Sequence, residues 1–567
     1  MCLVALLLAA CDGSPGISKS ASILITGTPK ALYDQQIYRS FIGQDITTLD
    51  PALAGDPTSI QAIDMVFTGL AQFDDALNVL PELAQSWEQS SDGLLWTFHL
   101  HSNLTFSDGT PLTSKDVAYS IDRALQPATK SQYCLPYLNL LQDAAKLRNG
   151  QINTIIGDSI LIPDADTVIL KLVKKAAYFL YTLTYPCSYV VEQSLIDKYG
   201  NDKFTEHLSE GGGAGPFIIS QYNQKQEIDF TPNLHYYDYH GKTPLLKKVV
   251  FLNFSLKSPT DKYQAYQNGE IDFSSVPPDK VQEALTHPNK YQVIPNLYTV
   301  YIAMNFLAKP FDNLHIRQAF ALSLNRNTFN ETLGNREYPT YHIIPMGMPG
   351  YNPNLVGPAN VQALNGDSTL AGQLLQMGLQ EEGLTDVSQM APVKITYVRS
   401  TKYDTLMALA IQMWQHALGV NVIPDPVVDT ATFLNEENAT RGNPQGLQMW
   451  FFSWVADYPD PEDWTTLQFD KDAIGNYMNY GQNDSADALL EQKVQQHLEQ
   501  ADAEANSAVR LRLYQMAEQQ LVEQVAWIPL WQATSSIVQK PYVEGLRYNG
   551  IGRTPPSDWA NIYILEH

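Results

Sequence analysis

The chain has 567 residues, with 36 Lys and Arg against 60 Asp and Glu, a formal charge of −24. Affinity for phosphate backbones comes from clustered cations that displace counterions, so this balance excludes a nucleic-acid binder and disfavours docking on an anionic membrane surface. With 44% hydrophobic and 17% charged residues, disorder is excluded for most of the chain, and the length allows about three or four domains. The 31 Tyr and 9 Trp exceed what a plain core requires and suit a surface that encloses a ligand.

The apolar run Leu3 to Ala10 ends in Leu8-Ala9-Ala10-Cys11, and a polar stretch rich in Ser, Gly and Thr follows. The run is too short to cross about 30 Å of hydrocarbon but has the length of a secretory h-region. It resembles the lipobox of bacterial lipoproteins, in which the cysteine, here Cys11, is lipidated and heads the mature chain. No Lys or Arg precedes the run, which departs from the usual leader. The expectation is a leader over 1–11 and a flexible tether over 12–30. No later segment is apolar over 18 residues, so no other span is expected. Cys134 and Cys187 remain. An exported chain can join them or leave them as two buried thiols, and without a CxxC spacing a cysteine zinc site is not expected.

From there strands and helices alternate. Leu95–Leu100 alternates like a strand, Asp108-Gly109-Thr110-Pro111 forms a turn, and Thr113-Ser114-Lys115-Asp116 opens a helix running through Arg123. Strands are expected at 168–173, 217–220 and 249–254, with a helix at 259–267 stopped by Asn268-Gly269. Further strands fall at 300–306, 393–398 and 447–452, with helices at 316–324, 403–417 and 506–524. Such alternation in both halves implies α/β lobes.

Enzyme signatures are missing: no GxSxG, HExxH or GxxxxGK[ST] occurs, and the glycines at 211–213 lack the Lys and Ser/Thr of a phosphate loop. His99 and His101 share a strand face without a third ligand spaced nearby, which reads as a solvated face. Asp457, Asp460, Glu462 and Asp463 crowd one segment and suit turn formation and ligand binding better than acid–base chemistry. Neither cofactor nor metal is expected.

Several ordered stretches resemble the extracytoplasmic solute-binding proteins of ABC importers, in the family that binds oligopeptides, dipeptides and nickel complexes. They include 81–88, Phe106-Ser107-Asp108-Gly109-Thr110-Pro111, Gly215-Pro216-Phe217, Asn268-Gly269-Glu270-Ile271-Asp272, Ile316-Arg317-Gln318-Ala319, 345–351, and Trp454-Val455-Ala456-Asp457-Tyr458-Pro459. The resemblance implies two α/β lobes, the type II periplasmic-binding-protein-like fold, with an extra domain inserted in the first. The first lobe would take 31–67, 190–297 and 535–567, the inserted domain 68–189, and the second lobe 298–534. It also implies a monomer that closes on a peptide and delivers it to an ABC permease, without covalent chemistry.

Residue by residue, the resemblance implies that Asp457 receives the ligand's α-ammonium and that Trp454 lines the cleft wall. Gly55 and Asp56 would lie beside the ligand backbone as an added strand. Tyr133 falls near a ligand-touching tyrosine, and Tyr137 matches equally well. Val455 and Tyr298 stand where the best-known oligopeptide binders pair two cysteines, so that disulfide is absent. Phe451 stands where those proteins have an arginine for the peptide carboxylate, and Arg441 is the substitute cation. The alternative is the same fold binding a non-peptide solute, such as a nickel chelate or sugar oligomer, or serving as a ligand-sensing subunit.

Overall fold

The computed structural model describes residues 28–236, 243–255, 257–286 and 290–567. Cys11, the lipobox and the tether to residue 27 lie outside the described residues.

Local chemistry sets many element ends. Thr113 caps helix Ser114–Leu125, and Asp116 returns the bond to the Thr113 amide, a capping box that leaves Val117, Ala118, Ile121 and Leu125 to face inward. Ser258 does the same for Pro259–Gln267, whose first-turn proline has no amide to waste.

The first lobe is built on a four-stranded sheet in the order Ile37–Ile42, Lys248–Asn253, Glu227–Pro232, Phe217–Asn223; the first pair is parallel and the others antiparallel. Between the first and last of these in sequence lies an antiparallel sheet of Ala84–Gln89, Leu95–Leu100, Thr167–Lys171 and Ile160–Asp164. Its apolar face, with Phe98 and Val168, shares one continuous core with Phe230, Phe251 and Trp559 of the first lobe. The inserted domain therefore packs on that lobe as an extension of its core.

The second lobe is built on a larger sheet whose central strand, Lys290–Met304, lies between Ile528–Gln539 and Met449–Val455, with Val393–Val398 and Val422–Val427 beyond. Side chains alternate faces as strand geometry requires. Val300, Ile302 and Met304 enter a core with Trp414, while Tyr301 and Ala303 enter one with Trp464 and Trp527 on the opposite side. Helices cover both faces.

Lys290–Met304 and Ile528–Gln539 run through both lobes. They pair at 290–295 with 534–539, lose register, and pair again at 299–302 with 528–532. The first stretch also carries Phe273–Ser275, and the second carries Met449–Val455. The expected lobe boundaries at 297/298 and 534/535 fall inside these two strands. No helix among the described residues is long and apolar enough to cross a membrane.

Candidate ligand-binding site

The site starts at the end of strand Met449–Val455. Its Ala456 amide donates to the Leu297 carbonyl at 2.9 Å, after which the chain leaves the sheet and turns through Asp457. Asp460 caps the short helix Pro461–Trp464 by accepting from the Glu462 amide, and its carboxylate takes both terminal nitrogens of Arg510, one at 2.8 Å. Asp463, fully buried, accepts the Asp457 amide at 3.0 Å and the Trp454 indole N–H at 3.2 Å. Its carboxylate thus fixes the backbone of Asp457 and the half-buried ring of Trp454 together.

Held in this way, the Asp457 side chain faces the hydroxyl of Tyr137, which comes from helix Cys134–Leu138 of the inserted domain. Burial pushes the Asp457 carboxyl up to about 6 against the opposing pull of the Tyr137 hydrogen bond. Among the described residues no cation lies within ion-pair distance of Asp457. Tyr137 stacks on Tyr185 with ring centres 3.7 Å apart and meets Tyr458 edge-on at 6.4 Å. Tyr185 donates to the Ala54 carbonyl at 3.3 Å, which brings the loop before Gly55 into the same wall. A disulfide joins Cys134 to Cys187 with a Cα–Cα distance of 5.3 Å, tying the segment of Tyr133 and Tyr137 to that of Tyr185.

Gly55 and Tyr133 are in direct contact. A Cβ on Gly55 would fall 2.2 Å from the Tyr133 ring, so the absence of a side chain at 55 lets that ring, 43% exposed, lie over the loop. The loop is anchored from below by the buried pair of Asp50 and Arg123, 3.0 Å at one contact. Val455 is exposed and is the register partner of Tyr298, so the two positions that resemblance relates are neighbours across the sheet.

Three expected ligand residues have their side chains engaged with other partners. Phe451 is 3% exposed and packs on Tyr403 and Trp531, at 5.1 and 6.0 Å, because its side of the strand faces the helix-covered core of the second lobe. Asp56 is the cap of helix Pro57–Val66: one oxygen accepts the Ser59 amide at 2.9 Å and the other the Thr47 hydroxyl at 2.6 Å. These bonds outweigh the upward push of burial and hold its carboxyl below the usual value, so it is occupied by structure. Arg441 lies over the Tyr477 ring at 5.1 Å, beside Thr440, whose hydroxyl accepts the Leu447 amide. Arg441 thus lies by the segment that enters the strand Met449–Val455, whereas Asp457 follows that strand's other end.

Glu462, one of the carboxylates that the sequence assigns to ligand binding, lines this region together with Tyr185, Tyr178 and Tyr458, which the sequence does not single out. The tyrosine excess and the crowding of carboxylates at 457–463 were the signals that pointed toward them.

Residues 78–476 match the family described as bacterial extracellular solute-binding proteins, family 5. The chain belongs to that family. It is 27% identical over 547 residues to the periplasmic murein peptide-binding protein of Escherichia coli strain K12, covering 94% of each chain. It is also 27% identical over 544 residues to the periplasmic oligopeptide-binding protein of Salmonella typhimurium, again 94% of each. These relatives are binding proteins, not enzymes. Among solved structures, the unliganded open form of the periplasmic murein tripeptide-binding protein superposes with a TM-score of 0.79 at 25% identity, covering 96% of this chain and 99% of that one. Another structure of the Escherichia coli murein tripeptide-binding protein gives 0.65 at 24% identity, covering 94% and 99%. Both establish the two-lobed, type II architecture.

Proposed function

We propose that this protein captures peptides in the cleft between its lobes, with Asp457 receiving the peptide's α-ammonium group, and hands them to an ABC permease while tethered through a lipidated Cys11. In this reading 31–67, 190–297 and 535–567 form the first lobe, 68–189 the inserted domain and 298–534 the second lobe. Tyr133 and the Gly55 loop border the ligand backbone, and Trp454 is a positioning residue held by Asp463.

The observation that carries the reading is Asp457 itself: a carboxylate in a part-buried wall, with a hydroxyl for company and no cation among the described residues. An uncompensated carboxylate in low dielectric is costly, and a ligand ammonium removes that cost. The higher TM-score with an unliganded open form supports a cleft ready to receive ligand. Another relative, 26% identical over 551 residues, is a probable deoxycholate-binding periplasmic protein of Escherichia coli. An anionic solute of that kind would meet Asp457 and the net charge of −24 unfavourably.

Calorimetry with a free-amine tripeptide, its N-acetylated form and deoxycholate tests this. The free amine should bind, and both acetylation and Asp457→Ala should weaken binding at least 100-fold, consistent with about 3–5 kcal/mol for removing one partner of a desolvated pair. Ammonium binding needs the ionised carboxylate, so affinity should fall as pH drops through about 6. Equal affinity for the acetylated peptide would remove Asp457 from this role, and preference for deoxycholate would move the ligand class.

A further inference from the structure

A cavity of about 450 Å³ opens beside Asp457, between helix Cys134–Leu138 of the inserted domain and the segment from Asp457 to Ile474 of the second lobe. Its chemistry is divided. Leu135, Leu140, Val173 and Ile474 give it an apolar wall, continued by the parallel rings of Tyr178 and Tyr458, 6.4 Å apart. Set into that wall are the carboxylates of Asp457, Glu462, Asp470 and Asp472, against a single lining cation, Lys174, which is solvent-exposed.

Two of these carboxylates are buried and form no ion pair at salt-bridge distance among the described residues, although Lys471 acts on Asp470 and Lys174 on Glu462 from farther off. Asp470 is 9% exposed, lines the cavity, and its Oδ1 has no hydrogen-bond partner there. Glu462 is 5% exposed and accepts only the Tyr458 hydroxyl through Oε2. A buried polar atom without a partner costs free energy that a donor from a ligand returns, and a charged donor returns most. Of the nearby cations, Arg510 is engaged with Asp460 and Lys471 with Glu499, while exposed Lys174 attracts Glu462 from the rim.

We propose that this cavity is a subsite for a basic side chain on the first residue of a bound peptide, with the apolar wall covering the alkyl stem and Asp470 and Glu462 meeting the charged end. The assignment rests on the peptide reading of Asp457, which would hold the α-ammonium at the cavity's edge. A lysine or arginine side chain has this same division, an apolar stem carrying a terminal cation. Burial raises the Glu462 carboxyl to about 8 and shifts Asp470 upward as well, which describes a site short of positive charge. Apolar first residues would fill the wall but leave the carboxylates unsatisfied, and acidic ones would meet like charge.

The test compares Lys-Ala-Ala, norleucine-Ala-Ala and Glu-Ala-Ala by calorimetry on the wild type, Asp470→Asn and Glu462→Gln, each variant first checked for an intact melting transition. Norleucine keeps the lysine stem and lacks its charge. The lysine peptide should bind at least tenfold tighter than the norleucine peptide in the wild type, with the glutamate peptide weakest. Asp470→Asn should shrink the lysine-to-norleucine ratio by at least threefold, and Glu462→Gln should shrink it too. A wild-type ratio of one, or a ratio that neither variant moves, overturns the subsite. Asp457→Ala separates the two readings. If it abolishes norleucine-peptide binding while the wild-type ratio is one, the peptide reading stands and the subsite fails; if no tripeptide binds the wild type, both fail.

Discussion

Four carboxylates between Asp457 and Asp463 share one turn and have unlike fates. Asp460 and Asp463 are both fully buried and Glu462 nearly so, so depth does not separate them. Partners do. Asp460 receives the guanidinium of Arg510, whereas Asp463 receives an amide and an indole, Glu462 a tyrosine hydroxyl, and Asp457 faces another tyrosine. Elsewhere buried carboxylates are matched with arginines at Asp50–Arg123, Glu491–Arg317 and Asp64–Arg553. Structural carboxylates are thus satisfied either by cations or, as at Asp463 and Glu518, by backbone amides and an indole. Asp457 has neither, facing only a tyrosine hydroxyl, and Glu462 has a tyrosine hydroxyl with Lys174 at longer range, so these two are the least satisfied of the four.

The sharpest way to break this contrast is to exchange the two situations. Arg510→Met strands Asp460 as an unpaired buried charge and should lower stability by about 3–5 kcal/mol, read from the urea midpoint and slope. Glu462→Gln should act oppositely. The folded state holds the Glu462 proton up to about 8, above the ordinary value of 4.5. Its contribution to stability is fully present below the ordinary value, where folded and unfolded chains are both protonated, and is lost as pH rises through about 8. A glutamine cannot ionise, so the variant's advantage over the wild type should grow from pH 5 to pH 8. If Arg510→Met proves no more harmful than Glu462→Gln, pairing does not divide these carboxylates.

Legibility followed the range of the interactions. Thr113 with Asp116, Ser258 with Pro259, and Asn268-Gly269 act within one turn, and the helices they bound were readable at those ends. The strand Lys290–Met304 was expected only from residue 300, because its first part pairs with residues 534–539, a partner far along the chain. Ile528–Gln539 was not anticipated at all: Ile528 to Gln532 are buried on both faces, which erases the alternation by which strands are recognised. In the site, Asp457 and Trp454 were legible from the resemblance. The segment Asp56-Pro57-Thr58-Ser59 carries a cap signature that was outweighed by the expectation of a ligand contact. Phe451 was read by its equivalence to an arginine, when its own apolar side chain dictated burial. Tyr133 and Tyr137 lie one helical turn apart, and which one meets Asp457 depends on how the inserted domain rests on the second lobe.

The disulfide gives a smaller effect that sharpens the comparison from the inserted-domain side. It closes a sequence separation of 53 residues, and its loss should cost about 2–4 kcal/mol. Because it ties the Tyr137 segment to the Tyr185 segment, reduction, or Cys134→Ser with Cys187→Ser, should also weaken tripeptide binding at temperatures where the protein remains folded. Stability that falls while affinity stays constant would mean that stacking alone holds these rings.

The smallest change in stability, and the most local probe of the cleft, is Gly55→Ala. The new Cβ would fall 2.2 Å from the Tyr133 ring, so the ring must swing away. At 43% exposure Tyr133 can do so into solvent, and stability should stay within about 0.5 kcal/mol of the wild type. Affinity should nevertheless fall, because a ring swung out to solvent no longer lies over the Gly55 loop that borders the ligand backbone in the proposed reading. A double-mutant cycle isolates this route: in a Tyr133→Ala background the added methyl has no ring to displace, and Gly55→Ala should then leave affinity unchanged. If the two losses simply add, the methyl acts on the ligand through the loop backbone, and Tyr133 is a bystander to peptide capture.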